Sequence, residues 1–70
     1  MDTEPSGSHL LRHVYNAAMP LDGRLRMLNA YLNRADSLDD LGRRLAAVAA
    51  ADLPASELDR LARIHRESFA

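Results

Sequence analysis

Residues 37 to 50 read SLDDLGRRLAAVAA. Leu38, Leu41, Leu45 and Val48 recur at intervals of three and four, which places them on one stripe of an α-helix. Ser37 stands where its hydroxyl can accept a hydrogen bond from the backbone near Asp40, and Asp39 and Asp40 fall in the first turn, where the helix dipole favours negative charge. Asp39 precedes Arg43 by four positions and Asp40 precedes Arg44 by four, the acid-first order that supports an exposed helical face. Gly42 alone is left without a local reason, because glycine is a poor helix former. From Leu45 to Ala51 no side is charged, and a helix that is apolar all round needs cover. The segment is therefore expected centrally in a bundle or in a symmetric dimer interface, with Leu45, Ala47, Val48 and Ala50 as candidate partner-binding residues.

Working outward, Leu21, Leu25, Leu28 and Leu32 form a second helical stripe running to about Arg34, widened by Met27 and Tyr31. Before it, Leu10, Leu11, Val14, Ala17 and Ala18 predict a first helix over 8–18 behind Ser8, ended by Met19-Pro20 because the residue before a proline is pushed out of the helical region. After it, Pro54 interrupts the chain, and Ser56 with Asp59 predicts a second capped start ahead of Leu58, Leu61, Ala62, His65 and Phe69. No stretch alternates as a strand would. The fold expected is all-α, a compact bundle of three to four short helices. It occupies 8–70 as one domain behind a disordered polar tail at 1–7. The echo between LDDLGR at 38–43 and LDRLAR at 58–63 is too short for a stacked array, since two similar helix starts yield the same letters.

Composition sets limits on function. A chain of 70 residues buries only about 60% of its unfolded surface, so its core is thin and a partner or second copy would help it. Cysteine is absent, which removes disulfides and thiolate zinc sites. Nine arginines, no lysine and ten acids leave a net charge of −1, which is not the basic balance of a polyanion binder, so no direct nucleic-acid contact is expected. The longest uncharged stretch, His13 to Leu21, is far shorter than a membrane span, and MDTEPSGS has neither a basic start nor an apolar signal region. A cytoplasmic protein without membrane contact is expected.

Three groups of residues could carry chemistry. Asp36-Ser37-Leu38 resembles the triplet at which acyl and peptidyl carrier proteins receive a phosphopantetheine arm. The resemblance covers three residues and a following helix; carriers usually show a glycine and a long loop before the triplet, whereas Arg34-Ala35 closes a continuous amphipathic helix here. Ser37 is read first as a helix cap, and as an attachment site only under the carrier alternative, so no cofactor is expected. His9 and His13 lie one helical turn apart, a spacing that could set two imidazoles on one metal. No glutamate accompanies them as in zinc hydrolases and no cysteine completes a set, so they are read as surface histidines and no metal is expected. His65, on the apolar side of the fourth helix, is read as a hydrogen-bonded interior or interface histidine. No serine or acid is placed by sequence to work with it, so no enzyme is expected. Glu57, Asp59 and Glu67 are interleaved with Arg60, Arg63 and Arg66, and Glu57 can pair with Arg60 and Asp59 with Arg63, a self-neutralised face on which Arg60 and Arg63 remain candidate partner contacts.

From Ser37 onward the chain is similar to the small Hha-type modulators of bacterial gene expression, in a hydroxyl-Leu helix start (Ser37, Leu38), a later Glu-Leu (Glu57, Leu58) and a His-Arg pair (His65, Arg66). Ile64 stands where that family has an aspartate, and no binding site is carried across. The resemblance spans residues 37–66 and implies a short helical partner of a nucleoid-associated repressor, hence a transcription co-regulator. The reading is a non-catalytic protein-protein interaction module that forms homo-oligomers; leucine and alanine predominate, twelve of each, and alanine-rich seams let helices approach closely. A docking domain of a large synthase would share this composition.

Overall fold

The computed structural model describes residues 7–69, which form four helices: α1 (Gly7–Val14), α2 (Leu21–Asn33), α3 (Leu38–Val48) and α4 (Ala55–Glu67). Among the described residues there is no strand, so the expected all-α bundle of short helices is borne out. The tail expected over 1–7 lies, apart from Gly7, outside the described residues.

Each boundary has a local cause. Ser37 has an extended backbone and its Oγ accepts a hydrogen bond from the Asp40 amide at 3.0 Å, so α3 starts as its sequence requires. Helix α1 ends four residues earlier than the apolar spacing predicts. Asn16 is the reason: its Oδ1 accepts from the Ala18 amide at 3.0 Å, and this side-chain turn competes with another round of helix. Helix α4 also departs from expectation. It begins at Ala55 with Pro54 before it and no side-chain cap, so Ser56 sits inside the first turn rather than ahead of it. Pro20 opens α2 in the same way, and the carbonyls of both prolines accept the first helical bonds, from Arg24 and Leu58, at 3.1 Å.

Packing centres on α2, which meets each of the other three helices; its most extensive contact is with α1, and α3 and α4 also touch. The resulting slab measures 35 × 34 × 17 Å between Cα extremes, about two helices thick. Its core joins Leu10 and Val14 of α1, Leu28, Tyr31 and Leu32 of α2, Leu41 and Val48 of α3, and Leu61 of α4. Five of its side chains, Val14, Leu28, Leu32, Leu41 and Val48, are fully buried, and each stabilises the fold by about 1.5 to 3 kcal/mol relative to exposure. The predicted seam of α3 is not uniform: Leu38 is 53% exposed and Leu41 is 1% exposed.

Polar contacts tie the helices together. Arg24 is buried and its Nε donates to the Val14 carbonyl at 2.9 Å, closing the C-terminus of α1 from α2. Arg44 binds Asp40 through Nε at 3.0 Å, donates Nη1 to the Tyr31 carbonyl at 3.1 Å, and lies 4.8 Å from the centre of the Tyr31 ring. Beyond α1, the Tyr15 hydroxyl donates to the Ala47 carbonyl.

Candidate functional site

The candidate site is built where α2 and α4 run side by side. The leucine stripe of α2 divides there. Leu28 and Leu32 enter the core, Leu25 is half-buried, and Leu21 is left exposed. On α4, Leu61, Ala62 and His65 face inward, while Ile64 points away from the core and is 48% exposed. Leu25, Leu61 and Ile64 line an open groove of about 530 Å³, whose other walls are Asp22, Arg26 and Asn29 of α2 and Arg60 of α4. The lining thus sets apolar Leu25, Leu61 and Ile64 beside both charges, Asp22 on one hand and Arg26 and Arg60 on the other.

The groove's edges are held in place. Asn29 Oδ1 and His65 Nε2 lie 2.7 Å apart, a hydrogen bond that links α2 to α4. His65 is buried, and its carbonyl accepts from the Ser68 hydroxyl at 2.8 Å, which agrees with the interior histidine expected from sequence. Arg60 Nη2 donates to Glu57 Oε1 at 2.6 Å, so one rim cation is partly spent on its own helix. Among the described residues the other ion pair is Asp40 with Arg44; the expected pairs Asp39 with Arg43 and Asp59 with Arg63 do not form. The Arg44 hydrogen bond, ahead of its charge, holds the Asp40 carboxyl below the usual carboxylate range.

The residues singled out from sequence fall in two places. Val48 is wholly buried, and Leu45, Ala47 and Ala51 are half-buried against the core, so this part of the segment serves packing. Ala46 is exposed on the outer side of α3, and Ala49 and Ala50 are exposed in the turn that follows Val48. Arg60 lines the groove, whereas Arg63 is exposed and stands outside its lining. Ser37 is exposed at the start of α3 with its oxygen occupied by the Asp40 amide. Sequence reasoning missed Asp22, Leu25, Arg26, Asn29, Leu61 and Ile64 as a group. Ile64 carried a usable signal, since it is a large apolar residue on the charged side of α4.

Among the described residues no three ligating side chains converge as a metal cluster, and no helix is long and apolar enough to cross a membrane. The chain matches no family model, no curated protein and no solved structure. Its architecture therefore defines only a class, an all-α bundle of four short helices.

Proposed function

We propose that this protein is a small non-catalytic interaction module that binds another polypeptide across the α2–α4 groove. The observation that carries the reading is Ile64, an isoleucine 48% exposed beside half-buried Leu25, within a rim formed by Asp22, Arg26 and Arg60. With Leu25 and Leu61 it makes a contiguous apolar lining, unlike the equally exposed Leu38, and an apolar patch rimmed by polar residues is the kind of surface that marks a partner site. The charges around it would set orientation and partner choice more than strength. The resemblance of residues 37–66 to the Hha-type modulators supports a DNA-bound repressor as the partner, which would make the chain a transcription co-regulator.

The test places a photo-crosslinking amino acid at position 64, and separately at the exposed position 43, in the cells that make the protein. A discrete adduct with one polypeptide at 64, absent at 43 and lost when Arg60 is also changed to Glu, is the expected result. Equal crosslinking at both positions, or none at 64, would sink the proposal. Ile64→Glu should leave the melting temperature within a few degrees of wild type, because the site is at the surface.

A further inference from the structure

The two histidines of α1 meet in a way that their spacing alone does not disclose. His9 Nε2 lies 3.3 Å from His13 Nε2, with ring centroids 4.7 Å apart and planes at 79°. We propose that this pair is a bidentate site for a divalent transition-metal ion of the zinc, copper or nickel class. The argument is one of bite. Two nitrogens each about 2.0 to 2.1 Å from a tetrahedral ion are about 3.3 Å from each other. The helix therefore already holds both donor atoms at the separation a shared ion requires. A bound ion takes a lone pair from each Nε2, and any proton on either of those nitrogens leaves to solvent or moves to Nδ1.

The surroundings permit entry. His9 is exposed and His13 is half-buried, on α1 beside Leu10 and Val14, which face the core. His13 falls in the last turn of α1, where the helix dipole favours a cation, while Arg12 next to it on α1 works against one. Imidazoles select borderline metals over magnesium and calcium, which prefer oxygen. Among the described residues no third ligating side chain joins the pair. Such a site is exchangeable and accessible, unlike a closed structural centre, and it needs neither the glutamate of a hydrolase nor a cysteine.

Calorimetric titration of the full chain with zinc chloride at slightly alkaline pH tests this. Binding at one ion per chain is expected, with no heat from magnesium chloride. His9→Ala and His13→Ala should each weaken zinc binding by roughly tenfold or more, since either leaves a single imidazole without the chelate advantage. Zinc should also raise the melting temperature of the wild type and not that of His9→Ala, because only the helical register brings both ligands together. His9 is exposed, so this variant keeps its fold even where His13→Ala does not. No zinc heat at millimolar metal, or equal affinity in wild type and His9→Ala, would overturn the proposal.

Discussion

Arg24 Nε donates to the Val14 carbonyl at 2.9 Å inside the protein, so a cation from the second helix caps a carbonyl at the end of the first. Val14 is wholly buried, and its carbonyl, one of the last of α1, has no water to turn to. Arg24→Met keeps an aliphatic stem and removes the donor. It should cost about 1 to 3 kcal/mol in urea unfolding, the penalty for a buried acceptor left unpaired. A change near zero would mean that α1 frays and recovers its solvent contacts.

Asp40 gives a pH signature. Its carboxyl is held below the usual range, mainly by the Arg44 hydrogen bond, so it binds a proton less readily folded than unfolded. A group lowered on folding contributes stability above its unfolded value and loses that contribution as pH falls through the folded one. Wild type should therefore exceed Asp40→Asn in melting temperature at neutral pH, and the gap should close below about pH 4. A gap that persists in acid would assign the effect to packing of Arg44 on Tyr31 instead.

Gly42 is in the middle of α3, exposed, with ordinary helical backbone and open space where a Cβ would stand. Gly42→Ala should raise stability by about 0.5 to 1 kcal/mol, through the reduced freedom of the unfolded chain. Thermal unfolding followed by circular dichroism measures it, and a loss of stability would show a close neighbour at that face.

Leu38 and Leu41 share a stripe in sequence and differ in burial, 53% against 1% exposed. Leu41→Ala should cost roughly 2 to 5 kcal/mol, a large part of the stability of a domain this small. Leu38→Ala should stay within about 0.5 kcal/mol of wild type. Equal losses at the two positions would require α3 to be rotated from its place here.

What sequence made legible was local chemistry. The Ser37 cap, the acid-first pair Asp40 and Arg44, and the helical stripes follow from neighbours three or four residues away, and each is found in the fold. Errors arose where two local signals competed. Asn16 ended α1 before the apolar spacing ran out, and Pro54 started α4 before Ser56 could cap it. The groove was illegible for another reason, since it depends on how α2 and α4 meet, and spacing along one helix does not say which leucine of Leu21, Leu25 and Leu28 stays uncovered. Nor does any pattern distinguish Arg24, which is buried, from the other eight arginines. For His9 and His13 the spacing was plain and the separation of their nitrogens was not.

Helix α1 rests chiefly on α2 and is eight residues long, too short to persist alone in water. It therefore holds only while that packing holds, with Arg24 fastening its end to α2 and the Tyr15 bond to Ala47 reaching α3. In deuterated solvent the backbone amides of α1 should exchange as a group, through an opening that leaves the other three helices protected. Amides in the middle of α2, around Leu28, should exchange only when the whole domain opens. The molecule would thus come apart in two steps, with its first helix as the detachable piece.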